Sequence, residues 1–170
     1  LPAGSLPSDT TSINKLGLLL IEKGELKEAE ALLKEDLQSK RQQLGDEHPF
    51  TLESIKDLAE LYIKQKRFKT AGDLYTELIE SSLRARGEED TVHLLYLRGM
   101  AALQNEIGDL VRAESYYRQA FEGLRRLHGK EAYLTSDCLA DLVLLLMKQG
   151  MYGKAEPLCR ELINTRLSSK

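Results

Sequence analysis

Small residues recur in this chain at a fixed interval: Ala29, Ala71, Ala113 and Ala155 stand 42 residues apart. A period of this length constrains the fold more than any local propensity, because each repeat must be one supersecondary unit packed on its neighbours. One such column could arise by chance, but others keep the same phase. Twelve residues before each alanine come Gly17, Ala59, Ala101 and Val143, each preceded by a large apolar residue: Leu16, Leu58, Met100 and Leu142. Five residues before it come Gly24, Lys66, Gly108 and Gly150, and three before it Leu26, Phe68, Leu110 and Tyr152. Gly45, Gly87 and Gly129 share the interval. The chain is read as four tandem repeats.

Within a repeat the apolar spacing is helical on both sides of a turn. In the second repeat Leu52, Ile55, Leu58, Ala59 and Tyr62 keep a helical period, and Phe68, Ala71, Leu74, Tyr75 and Leu78 resume it after the turn. Each unit therefore reads as a helical hairpin, with Ala59 and Ala71 letting its helices approach closely. Lys40 and Arg41, Arg84 and Arg86, and Arg125 and Arg126 precede Gly45, Gly87 and Gly129. Cations followed by glycine mark helix C-termini, and Asp46, Glu47 and Pro49 suit the start of the next helix. The expected repeats run over about 12–44, 50–86, 92–128 and 134–168, within a domain covering 12–170. Residues 1–11 lack the basic start and apolar core of a signal peptide and read as a flexible N-terminal linker or cloning remnant.

Leu58-Ala59 with Tyr62, then Phe68, Ala71, Tyr75 and Leu78, resembles the tetratricopeptide repeat (TPR). The 42-residue spacing together with Leu44-Gly45-Asp46-Glu47-His48-Pro49-Phe50-Thr51-Leu52 is similar to the kinesin-light-chain-like subclass, and the likeness covers about residues 12–168. Two positions depart from the pattern: Gln104 stands where the other repeats have Leu20, Tyr62 and Leu146, and Lys66 stands in the glycine column of the turn. The resemblance implies an all-α fold, a right-handed alpha-alpha superhelix (TPR solenoid) of four helical hairpins. It also implies that the first helix of each hairpin lines a concave face.

Four inner columns follow: Asn14, Lys56, Arg98 and Ala140; Lys15, Asp57, Gly99 and Asp141; Leu18, Glu60, Ala102 and Leu144; Ile21, Ile63, Asn105 and Met147. The candidate peptide-binding set is Asn14, Leu18, Lys56, Asp57, Glu60, Arg98, Ala102, Asn105, Asp141 and Leu144. Lys56, Arg98 and Asn105 are expected to face solvent and hydrogen-bond an extended backbone or carboxylates, while Leu18, Ile21, Leu144 and Met147 offer apolar seats. The competing reading is a solvated inner surface of mixed charge. Related arrays clamp acidic C-terminal tails with inner Lys, Asn, Asn, Lys and Arg. Here Glu60 and Gly99 occupy the places of the two asparagines, so that clamp is not expected. Asn14, Lys56, Arg98 and Asn105 resemble the inner polar residues with which kinesin light chains hold cargo peptides.

Other function classes find little support. A net charge of −3 offers no field for a phosphate backbone, so no nucleic-acid partner is expected. Leu16 to Ile21 and Leu142 to Met147, the longest apolar runs, are too short to insert in a membrane. Two cysteines and three histidines at scattered positions give no metal-ligand spacing, and neither a metal nor another cofactor is expected. His48, His93 and His128 read as exposed or capping, and Cys138 and Cys159 as buried thiols. Glu28 with Glu30, and Glu88, Glu89 and Asp90, read as solvated, ion-paired surface. The expected function is a non-enzymatic, cytoplasmic scaffold or adaptor for a protein or peptide. Leu158, Leu162 and Ile163 on the last helix would face water unless covered, so self-association through the last repeat is the alternative.

Overall fold

The turns inside the hairpins show how strongly the repeat dictates backbone. In the computed structural model, which describes residues 8–168, Gly24, Gly108 and Gly150 take φ of 84°, 93° and 72°. These values lie in the left-handed region that only glycine enters without steric cost. Lys66 holds the equivalent place and is driven to φ 60°. The departure noticed in the sequence thus changes the residue and leaves the turn intact.

Those turns join helices in pairs: α1 (Ser8–Lys23) with α2 (Leu26–Leu44), α3 (Pro49–Lys64) with α4 (Phe68–Arg86), α5 (Thr91–Ile107) with α6 (Leu110–His128), and α7 (Tyr133–Lys148) with α8 (Tyr152–Ser168). There is no strand among the described residues. Of the expected linker 1–11, residues 1–7 lie outside the described residues and α1 begins at Ser8. Three helix starts are capped by side chains. His48 accepts from the Phe50 N–H with Pro49 in the first turn of α3, Asp90 accepts from the Val92 and His93 N–H groups, and Asp109 accepts from that of Arg112.

The chain divides inside α4 into two compact units, the first ending at Leu78 and the second starting at Ile79. Unit 1 buries Ala29, Leu33, Leu52, Ile55, Ala59, Leu61, Ala71 and Leu78, so the small column sits in the core as expected. Where α2 meets α3, the core also contains charge: Lys40 Nζ donates to Asp36 Oδ2 at 2.7 Å and to Ser54 Oγ at 2.7 Å, and Ser54 Oγ donates to the same Asp36 oxygen at 2.5 Å. Lys40 is therefore no helix-end cation, as its place in the sequence suggested, but half of a buried ion pair. Unit 2 is built on Leu97, Ala101, Ala113, Tyr117, Ala120, Leu124, Cys138, Leu142 and Leu146, against which Leu158, Cys159 and Leu162 are partly buried.

Two exposure patterns depart from the column rule. Leu16 and Leu19 are 49% and 55% exposed, while their equivalents Leu58, Leu61, Met100, Leu103, Leu142 and Leu145 are nearly all covered. The later first helices are each preceded by a hairpin, and among the described residues nothing precedes α1. At the other end, Leu158 and Leu162 lean into the core rather than facing water, which leaves Ile163 and Leu167 as the open part of the α8 stripe.

Candidate functional site

The candidate inner residues fall on α1 and α3 in unit 1 and on α5 and α7 in unit 2. In unit 1, Asn14 Nδ2 donates to Asp57 Oδ2 at 3.0 Å, joining adjacent first helices, and Asp57 is buried. Lys56 Nζ lies 3.2 Å from Glu60 and 3.8 Å from Asp57. Burial alone would lower the Lys56 pKa, but the charges of Glu60 and Asp57 raise it, so the ammonium stays charged. Leu18 and Glu60 are exposed beside this cluster.

Unit 2 repeats the contact in stronger form. Arg98 Nε donates to Asp141 Oδ2 at 2.7 Å and its Nη2 to Asp137 Oδ2 at 2.6 Å. Asp137 and Asp141 are one helical turn apart, so both carboxylates point at one guanidinium. Burial would lower the pKa of Arg98, but Asp141 and then Asp137 raise it further. Contrary to the expectation of a solvent-facing arginine, Arg98 is only 23% exposed, and its donors are engaged within the protein. Two turns further along, Lys148 Nζ donates to Asn105 Oδ1 at 2.8 Å. Between these polar ends, about 10 Å apart along α5, lie the exposed side chains of Ala102, Leu144 (64%) and Met147.

Sequence reading set Asn14 and Arg98 in one inner column and Asp57 and Asp141 in the next without pairing them, and it did not name Asp137 or Lys148. A legible signal existed for both. Asp137 lies one helical turn before Asp141, and Lys148 is 43 residues after Asn105, the same interval that separates Asn14 from Asp57 and Arg98 from Asp141. The wider carboxylate reading also changes. Glu30 makes the expected i,i+4 pair with Lys34, but it is half-buried and also accepts from Gln65, Arg67 and Tyr62.

Each histidine and Cys138 has a local partner. His48 caps α3, His128 pairs with Thr91 at 2.7 Å, and His93, read from sequence as exposed or capping, is buried against Ser82 Oγ at 2.9 Å. Burial lowers the His93 pKa and favours its neutral ring. Burial pushes the Cys138 thiol up to about 12, so it packs as a small hydrophobe; its Sγ lies 3.7 Å from the Tyr117 carbonyl oxygen. Among the described residues no three His, Cys, Asp or Glu side chains cluster to hold a metal ion, and no helix is long and apolar enough to cross a membrane.

Comparison with known proteins bears on the family. No curated protein matches the chain. Among solved structures, BtubC (BKLC) of P. vanneervenii is similar at a TM-score of 0.81 and 24% identity, over 92% of this chain and 61% of that one. The chain thus spans less than two thirds of BtubC. Two structures of kinesin-light-chain-type, nearly identical TPR-like repeats from Podosopora anserina, one of them a point variant, each superpose at a TM-score of 0.83. Identities are 19% and 18%, over 97% and 98% of this chain and 78% and 79% of theirs. At these identities the likeness is one of fold, an all-α helical repeat. The family description "MalT-like TPR region" matches residues 1–168, and the chain belongs to that family.

Proposed function

We propose that the chain is a non-catalytic adaptor that holds an extended peptide or partner helix along its inner helices. The observation carrying this reading is the strip on α5 and α7 in unit 2. Exposed Ala102, Leu144 and Met147 lie between a net-negative end, Arg98 with Asp137 and Asp141, and a positive end, Lys148 on Asn105. A solvated surface gains nothing from presenting large apolar side chains between fixed charges, whereas a peptide groove uses them as side-chain seats and uses the charged ends to set direction. Arg98 then acts through its pairing, by fixing α5 on α7, and the contacts to ligand come from Leu144, Met147 and Lys148.

The test is a peptide selected from a random displayed library against the purified chain. Leu144→Glu with Met147→Glu should weaken its binding at least tenfold with an unchanged helical spectrum; unchanged affinity sinks the reading. A second reading, self-association, is favoured by exposed Ile163 and Leu167 on α8. It requires a concentration-dependent mass in light scattering that Ile163→Glu abolishes. Location in the cytoplasm goes with either reading and is checked by fractionation.

A further inference from the structure

Within each unit an ion pair joins one second helix to the next at the same register of the repeat. Arg41 of α2 bonds Glu77 of α4, and Arg125 of α6 lies 3.4 Å from Glu161 of α8. In unit 2 the end of α4 and the body of α6 carry Leu83 and Gln119 at those registers, which cannot form such a pair. A trough of about 610 Å³ opens there, and both residues line it. Its floor is buried Leu94 and Leu97, with Ile79 and half-exposed Leu83 on one wall and Tyr116 on the other. This volume suits one or two large side chains.

The charges around the trough are unbalanced. Its two arginines are committed elsewhere, Arg118 to Glu114 at 2.9 Å and Arg126 to Glu89 at 3.5 Å. Glu88 and Glu122 also line it, and no ion pair joins either to a cation among the described residues. His93 at the floor is tied to Ser82 and stays neutral, so it adds no compensating charge. The trough is apolar at its base and acidic at its rim, on the second helices rather than the inner ones. We propose that it docks a peptide segment presenting a large apolar side chain flanked by lysine or arginine. The apolar group sits on Leu94 and Leu97, and the cation is drawn to Glu88 and Glu122.

The repeat supplies its own test. Leu83→Arg with Gln119→Glu installs the ion pair found at the other two seams and should close the trough without disturbing the hairpins. Fluorescein-labelled KLLKLLK, ELLELLE and KSSKSSK peptides are titrated by anisotropy in 0.15 M salt. Saturable binding of the first is expected, with the acidic and serine peptides at least tenfold weaker. The double variant should lose at least tenfold in affinity for the first peptide at unchanged melting temperature, and Val111→Glu, at an exposed site outside the trough, should bind as the parent. Should the double variant fail to fold, Glu88→Lys with Glu122→Lys takes its place with the same expectation. Binding of the acidic peptide equal to the basic one, parent-like affinity in the closed variant, or no saturable binding overturns the proposal.

Discussion

The interface between successive hairpins is built twice from the same register with opposite chemistry. In unit 1 the positions are Asp36, Lys40 and Ser54, an ion pair with a bridging hydroxyl; in unit 2 they are Ala120, Leu124 and Cys138, wholly apolar apart from a weak thiol contact. All six residues are buried. The repeat therefore specifies where a side chain is covered and leaves open how its polarity is met. Unit 1 meets it incompletely, since Asp36 Oδ1 has no hydrogen-bond partner.

The largest expected effect comes from breaking that trio. Lys40→Met leaves the Asp36 carboxylate buried without its cation and should cost about 3 to 5 kcal/mol in denaturant unfolding. Transplanting the unit 2 solution whole, Asp36→Ala with Lys40→Leu and Ser54→Cys, should be neutral or stabilising by about 1 to 4 kcal/mol, because a matched apolar set carries no desolvation cost. If the triple variant loses as much as the single one, the two interfaces are not interchangeable and the register comparison fails.

A second contrast concerns pH. Burial alone would raise the Glu30 pKa, but hydrogen bonds from Lys34, Gln65 and Arg67 hold it at about 2, against an ordinary 4.5. Its unit 2 equivalent, Glu114, accepts from Arg118 of its own helix, and the Gln149 amide donates to the Leu110 carbonyl as Gln65 does to that of Leu26. A carboxylate depressed in the folded state contributes stability that is complete above its unfolded pKa and is lost as pH falls through the folded one. Glu30→Gln should therefore cost on the order of 2 kcal/mol at pH 7, after discounting exposed Lys34 and Arg67. The difference from the parent should shrink between pH 4.5 and 2. A difference independent of pH would assign the loss to packing.

Much of this was legible before the structure, because period and phase follow from backbone geometry. The hairpins and the buried alanine column both come from it. What escaped depends on neighbours that a single column does not show. Leu16 reads like Leu58 until one sees that, among the described residues, no hairpin precedes α1. His93 occupies the column of Thr51 and Thr135 and reads as a surface residue, yet Ser82 is placed to bond it. Arg98 reads as a free ligand-binding cation until Asp141 and, one turn before it, Asp137 are seen to share its guanidinium from the next first helix.

That Thr51 column offers a finer test. Thr51 Oγ1 donates to the Gly45 carbonyl at 2.8 Å, whereas buried Thr135 Oγ1 has no partner. Valine fills the same volume, so Thr51→Val should cost about 1 kcal/mol for the lost bond. Thr135→Val should be neutral or stabilising, since it removes an unsatisfied hydroxyl. Equal melting temperatures for the two variants would mean that Thr135 bonds a water and that the two positions are equivalent.

The smallest effect lies in the turn column. Gly24, Gly108 and Gly150 enter the left-handed region freely, and only Lys66 does so with a side chain. Both groups make the same backbone bonds: the Lys66 N–H donates to the Ile63 carbonyl at 2.9 Å, and the Gly24 N–H to that of Ile21 at 3.1 Å. Lys66→Gly therefore removes steric strain without removing a hydrogen bond. Glycine also enlarges the conformational freedom of the unfolded chain, which opposes the gain. The strain relieved, on the order of 1 to 2 kcal/mol, exceeds that entropy of about 0.5 to 1 kcal/mol, so the melting temperature should rise by a few degrees at most. The reverse change, Gly108→Lys, should lower it. A fall on Lys66→Gly would show that the lysine side chain contributes more to its turn than the backbone costs.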